Sequence, residues 1–493
     1  MLLGPVLTGC NDGSSQIPVI TLAPPTSQTG PTDPSPAGTV VPSGGDDELD
    51  GIVVAPGDDL AALVDAAEPG TSFVIEAGVH RMQSVRPKDG MSFVGLPGAV
   101  MNGSMVLDGF VFDDPFWRLD GIEMSDFLHG ECFAGYEGCR YQQDLFMDNV
   151  MLWQVTEIDQ LEPGRWLWDG ESVFVANDPS QRRVELSVAE YAFLGAASDV
   201  TISGLRIEKY ATPAQSGTVQ AQEPGDGERG QRWLIEDIEI TGSHGAGIRT
   251  GDFTTVRNVY VHDNGQMGVS ISGGTGVVLE GSEIAFNNIA GFDWGWEGGG
   301  MKATLTQDLI VRNNHSHDNE GPGLWTDIDA VDTLYEGNVV ADNAGVGIFH
   351  EISGAATIRD NTVERNGFGK SEWLWGAGIL VAASSDVEVY DNRVLDNADG
   401  IAGIQQERGS GPDGPRLLRN LSVYDNTVRM LGGQTGVVQD VGDDAVFTSR
   451  GIVFSGNTYV DVIGRRFAWD GRSLDQDGWL ATGQDEGSEW QSS

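Results

Sequence analysis

The stretch "GVGIFHEISGAATIRDNTVERN", residues 345–366, decides the fold. Apolar and polar residues alternate through it as in half-buried strands, while Gly, Asp and Asn cut it into pieces too short for a helix. The pattern recurs on both sides. Turn triplets "HDN" (262–264), "FNN" (286–288), "HDN" (317–319), "ADN" (341–343), "ERN" (364–366) and "LDN" (395–397) place their last Asn 24, 31, 24, 23 and 31 residues beyond the one before. A second series runs through Asn338, Asn361, Asn392, Asn426 and Asn457. A period of about two dozen residues, with two or three short strands and no helix signal, predicts an all-β solenoid. Leucine-rich repeats share the period, but their leucine framework is missing. Asn suits such turns because it tolerates left-handed backbone and can bond along a stack of neighbours.

One strand of each repeat opens on a glycine: Gly247, Gly268, Gly300, Gly323, Gly347 and Gly378. The residue after it is always apolar, which points it inward. By strand alternation the position two further on also faces in; it is small or apolar except at His350, where a buried hydrogen bond is the expected role. Two outward columns remain. One reads Arg249, Ser270, Lys302, Trp325, Phe349, Leu380; the other reads Gly251, Ser272, Thr304, Asp327, Glu351, Ala382.

Asp327 and Glu351 therefore stand in register on consecutive turns. Adjacent parallel strands lie about 4.8 Å apart, close to the carboxyl separation of about 5–5.5 Å that retaining glycosidases use. Two acids that close cannot easily both ionise, so one pKa should rise, as a general acid requires. The competing readings are a divalent-cation site and a solvated acidic surface. Loops around the pair favour a cleft. The period lengthens at "IAGFDWGWEGG" (289–299) and at "FGKSEWLWG" (368–376), just before strands that flank the acids. The loops carry Trp294 and Trp296, then Trp373 and Trp375; with Trp325 and Phe349 they give flat rings above an acidic floor, the chemistry of a sugar site. Lys302, in "EGGGMK", is expected to anchor substrate, to act as the base of a lyase, or to relieve repulsion between the acids. Glu297 and Asp293 are auxiliary candidates, and Arg249 a substrate contact. His262 and His317, in their "HDN" triplets, are expected to serve the turns.

Over residues 50–110 and 195–465 the repeats resemble those of right-handed parallel β-helix carbohydrate-active enzymes. The segment "PGDDLAALVDAA", residues 56–67, reads as an N-capped amphipathic helix with Leu60, Leu63, Val64 and Ala67 on one face, suited to plugging the open end. Residues 113–195 break the period with strands between "EPG", "DGES" and "NDPSQ" turns. This layout is similar to β-helix glycoside hydrolases with an inserted β-sandwich, a group that includes β-xylosidases. The resemblance implies a retaining hydrolase without cofactor, with Asp327 as nucleophile and Glu351 as acid/base. Two alternatives stand beside it. In a polysaccharide lyase acting on a uronate-containing glycan, Asp327 and Glu351 would bind Ca²⁺ and Lys302 or Arg249 would take the proton. In a glycan-binding or adhesin solenoid no bond is broken.

The chain has 493 residues, 69 of them Gly, and a formal charge of −46. That charge argues against nucleic acid as a partner, since no Lys/Arg stripe is present; a carbohydrate polymer or oligosaccharide is the expected one. Residues 1–10, "MLLGPVLTGC", end in a match to a bacterial lipobox that would lipidate Cys10, although the stretch before it lacks a basic region. Residues 11–48 are rich in Pro, Ser, Thr and Gly and read as a tether. The expected setting is extracytoplasmic, at the cell surface or secreted, with a lipid anchor as the sole membrane contact. Cys132 and Cys139, in "CFAGYEGC", then form an even pair suited to a disulfide. The expected organisation is a cap and first turns at 49–112, an insertion at 113–195, the main solenoid at 196–465 and a loose acidic tail at 466–493.

Overall fold

The computed structural model describes residues 50–225, 227–412, 414–430 and 432–492. Cys10 and the tether lie outside the described residues. Among the described residues, three long sheets wind around one apolar core. Sheet I has 13 strands, from Ile52–Val54 to Val453–Ser455; sheet II has 13, from Gly78–Arg81 to Glu489–Gln491; sheet III has 12, from Phe193–Leu194 to Arg472–Leu474. From Phe193 to Ser455 the successive turns contribute strands to all three sheets, which makes a right-handed parallel β-helix; the last strand of sheet III, Arg472–Leu474, pairs antiparallel with Phe467–Trp469.

The repeat residues explain the coil. Ile248, Val269, Met301, Leu324, Ile348 and Ile379 all point into the core. The glycine before each is sterically required: a Cβ on Gly300 would lie 2.3 Å from the carbonyl oxygen of Gly323, and one on Gly347 2.6 Å from that of Gly378. Two asparagine ladders run along the interior. In one, the Nδ2 groups of Asn264, Asn287, Asn319, Asn343 and Asn366 each donate to the Oδ1 of the next, ending on Asn397, at 2.8–2.9 Å. The ladder passes through Asn287 rather than Asn288. The left-handed backbone belongs to the residue before the asparagine (Asp263, Phe286, Asp318, Asp342, Arg365 and Asp396), so the Asn supplies hydrogen bonds and its predecessor makes the bend.

The helix Leu60–Ala66 closes one end. Asp59 caps it by accepting from the Ala62 N–H at 3.0 Å, while Leu60 and Val64 are buried in the core. The other end corrects an expectation, because the acidic tail is ordered and acts as the second cap. Trp479 is fully buried against Phe454 and Phe467, and the buried Asp485 accepts from Asn457 at 2.8 Å and Tyr459 at 2.6 Å. Acidic composition misled here because one tryptophan and one buried carboxylate outweigh the exposed remainder.

The insertion is an eight-stranded sheet from Ser104–Leu107 to Val184–Ser187, so it starts and ends earlier than 113–195. Its two halves share one cluster built on Leu145, Trp166, Val173 and Leu186, so the sheet folds over on itself in sandwich fashion. Two polar clasps hold it to the coil: buried Glu185 takes Arg81 at 2.7 Å and Lys209 at 2.5 Å, and buried His244 meets Asp144 at 3.1 Å. His244 also bonds the carbonyl of Cys139 at 2.9 Å.

Candidate active site

Asp327 and Glu351 end neighbouring strands of sheet III, Leu324–Asp327 and Ile348–Glu351. The register pairs Trp325 with Phe349 and Thr326 with His350, so the next residues, the two acids, stand side by side on neighbouring strands, whose backbones lie about 4.8 Å apart. The inward neighbours take up the expected buried bond: Thr326 Oγ1 lies 2.6 Å from His350 Nδ1, and His350 Nε2 lies 2.8 Å from the Gly354 carbonyl. Burial depresses the His350 pKa to about 4, so the ring is neutral at ordinary pH.

The two carboxyl groups have different surroundings. Asp327 accepts from the Ile328 N–H at 2.8 Å and from the Lys302 ammonium at 3.1 Å, bonds that hold a carboxylate in place. Lys302 itself sits 3.7 Å above the Trp325 ring and donates to the Trp296 carbonyl at 3.3 Å. Glu351 is pushed up to about 7, first by burial and second by the charge of Asp327; Arg408 and Lys302 oppose the rise. Arg408 forms an ion pair with Glu351 Oε1.

Arg408 was not singled out by sequence reasoning. It stands on an excursion from 405 to 418, "QQERGSGPDGPRLL", that carries a small hairpin, Ser410–Gly411 against Gly414–Pro415. The signal was available, since the spacing from Asn392 to Asn426 stretches to 34 residues. Gly and Pro carry no periodicity that would say where such a loop lands.

Around the acids the outward face is covered, which corrects the expectation that both columns meet water; only Ser272 and Thr304, on the turns before Asp327, are half-buried. Arg249, Ser270, Lys302, Trp325, Phe349 and Leu380 are all buried, and Asp327 and Glu351 are each only 5 % exposed. The covering comes from the loops. Trp375 meets Phe349 edge-on at 6.0 Å, Phe349 stacks on Trp325 at 5.3 Å, and Leu374 packs into the same cluster. Trp294 reaches the other loop, with its Cη2 where a Cβ on Gly369 would be only 2.5 Å away. The insertion joins this wall. Phe133 packs on Trp294 at 5.3 Å, His129 on Trp296 at 5.4 Å, and the Phe133 N–H donates to the Gly291 carbonyl at 3.0 Å. The sulfurs of Cys132 and Cys139 are bonded at 1.99 Å beside that contact.

Three other candidates fall outside the dyad. Asp293 caps the short helix Trp294–Glu297 by accepting from the Gly295 N–H at 2.7 Å, so its carboxylate serves the loop. Glu297 is engaged by Gln215 Nε2 at 2.7 Å, and Gln215 by His129 at 3.0 Å. Arg249 lies three strands before Trp325 in its column, roughly 14 Å away, bonded to Gln222 at 3.1 Å and to the Gln215 carbonyl. Trp373 is the most exposed of the four loop tryptophans and has left-handed backbone. His262 and His317 each bridge the following Asp and a Glu of an earlier turn, on sheet II.

A Ca²⁺ site does not fit these donors. Calcium takes six to eight oxygens, whereas Asp327 and Glu351 already hold Lys302 and Arg408, and no group of three or more His, Cys, Asp or Glu among the described residues could hold a metal.

Fold and site together define a right-handed parallel β-helix with a folded-over insertion leaning on an acidic, aromatic-walled site. Comparison with known proteins agrees on the fold. Residues 226–394 match the family model described as a right handed beta helix region. The protein XylC, solved in complex with xylose, is similar in structure with a TM-score of 0.66 at 15 % identity, covering 88 % of this chain and 82 % of XylC. The A-module of the mannuronan C-5 epimerase AlgE4 of Azotobacter vinelandii is similar with a TM-score of 0.51 at 14 % identity, covering 84 % of this chain and 94 % of the module. A comparison with curated protein sequences found no match.

Proposed function

We propose that this chain is a retaining glycoside hydrolase acting on neutral sugars. The observation that carries the reading is the unequal pair: Asp327 held by a cation and an N–H, Glu351 pushed up to about 7 across the adjacent strand. Asp327, as carboxylate, attacks the anomeric carbon while protonated Glu351 gives its proton to the departing oxygen. Water then attacks the glycosyl–Asp327 ester as Glu351 takes back a proton, and the sugar leaves with its configuration retained. The hydrogen bonds favour the same division of roles that the resemblance implies.

The charges favour a neutral substrate. Lys302, Arg408 and Arg416 pair with Asp327, Glu351 and Asp329, so these cations are neutralised within the protein rather than offered to a uronate. The same pairing weighs against Lys302 as the base of the lyase reading, since a proton acceptor must be neutral, and Arg249, the other base that reading offers, lies roughly 14 Å from Trp325. The rings of Trp325 and Phe349, with Trp375 beside them, suit the apolar face of a pyranose. XylC binds xylose, so pentosides are the first substrates to try.

The test is a screen of aryl glycosides with and without EDTA, followed by D327N and E351Q. Release of sugar unaffected by EDTA, with a loss of about 10³-fold or more in each variant, is expected. Full activity in both variants, or an unsaturated product, would sink the proposal.

A further inference from the structure

The 405–418 excursion bridges the two turns that carry the acids. Arg416 Nη2 and Nε grip Asp329 at 2.8 and 3.2 Å, two residues beyond Asp327 on the same chain segment. Its Nη1 donates to the Arg408 carbonyl at 3.4 Å, and its N–H to the Gly409 carbonyl at 3.0 Å. The base of the loop is tied by Gln405, whose Oε1 accepts from the Leu418 N–H at 2.6 Å and from Arg450 at 2.7 Å. Arg408 thus reaches Glu351 from a backbone fixed at both ends. We propose that Arg408 is a positioning residue for the acid/base, and that the remote Arg416–Asp329 pair holds it there. The inference rests on the hydrolase reading for its kinetic consequence, not for its physical one.

The physical consequence concerns the anion. When Glu351 gives up its proton in the first step, it becomes a buried carboxylate facing Asp327 from the neighbouring strand. Lys302 acts on it only through its charge, without a hydrogen bond, and His350 on the inner side of the strand is neutral. Arg408 is the cation bonded directly to Glu351. It therefore stabilises the species that must persist until water attacks, and without it Glu351 would hold its proton to higher pH.

The experiment compares wild type with R408M, R408K, R416M and the isosteric D329N. Uniformly ¹³C-glutamate-labelled protein is titrated by carboxyl NMR, with the Glu351 resonance assigned by its absence in E351Q. R408M should move that titration up by about one pH unit or more, R416M and D329N should move it less in the same direction, and R408K should restore part of the shift. With an aryl glycoside, the alkaline limb of kcat/KM should follow the same order. In R408M, kcat for substrates with good leaving groups should fall more than kcat/KM, because the second step slows. An unmoved Glu351 titration in R408M overturns the proposal, as does a normal titration in both R416M and D329N for the remote part. Should wild type release no sugar at all, the hydrolase reading falls while the titration still decides this one.

Discussion

At Glu351 a single carboxyl links stability to function. Its pKa rises from 4.5 to about 7 on folding. Below pH 4.5 it is protonated in both states and costs nothing. Between 4.5 and 7 the unfolded chain releases the proton and the folded protein keeps it, so stability falls as pH rises. Above 7 the full cost is present, about 3 kcal/mol at 1.36 kcal/mol per pH unit. E351Q removes this cost. Thermal melts should show the variant more stable than wild type at pH 8, with the gain shrinking towards pH 4; an equal gain at both would mean that Glu351 does not titrate in this range. Activity runs the opposite way, since the first step needs the protonated acid and should fade as pH passes about 7. The acids themselves were legible in the sequence because period-2 alternation and a fixed glycine determine which columns face out. That one of two such close acids should hold its proton was legible too; that burial is the larger cause, and that Arg408, 57 residues from Glu351 along the chain, opposes it, was not.

Each repeat element carries two jobs that one triplet conceals. In "ADN", Asp342 makes the left-handed bend at φ 56° and pairs with Arg365 on the surface, while Asn343 is buried in the ladder. Asn343 Oδ1 accepts from the Asn319 N–H at 3.2 Å and from Asn319 Nδ2 at 2.8 Å, and its own Nδ2 donates to Asn366 and to the Ser316 carbonyl. Replacing it by Ala strands several buried polar groups, each costing about 1–3 kcal/mol. D342G gives up an exposed ion pair worth about 0–1 kcal/mol and gains relief of left-handed strain. Chemical denaturation should therefore show N343A losing at least about 3 kcal/mol and D342G changing little; similar losses in both would refute the division of labour. A comparable strain sits beside the site. Ile328 and Ile352, β-branched residues at φ 46° and 36°, follow Asp327 and Glu351 directly. The solenoid was readable because a repeat states its constraint many times over. Each loop is stated once, so the Arg408 hairpin, the wall from the insertion and the Trp479 cap had no second copy to reveal them.

For the whole molecule the question is how a chain with 46 excess negative charges stays folded. Part of the answer lies along sheet I, where one outward column reads Glu236, Arg257, Glu280, Arg312, Glu336, Arg359 on successive turns. Arg257 pairs with Glu236 and Arg312 with Glu280, both at 2.6 Å, and Arg359 pairs with Glu336. The column continues through the stacked rings of Tyr390 and Tyr424 to Ser455. These partly exposed pairs contribute about 0–1 kcal/mol each, so screening all three would cost at most about 3 kcal/mol. Repulsion weighs more. Two like charges 20 Å apart cost about 0.2 kcal/mol unscreened, and a large net negative charge forms many such pairs. The unfolded chain spreads them further apart, so the folded state bears the larger share. At 0.15 M salt, with a Debye length of about 8 Å, that long-range repulsion is mostly gone, whereas ion pairs in contact are screened far less. Raising NaCl from 10 mM to 0.5 M should therefore raise the calorimetric Tm by several degrees, most of it below about 0.2 M. A Tm that fell over this range would mean that the ladder pairs, and not the net charge, dominate the electrostatics of the fold.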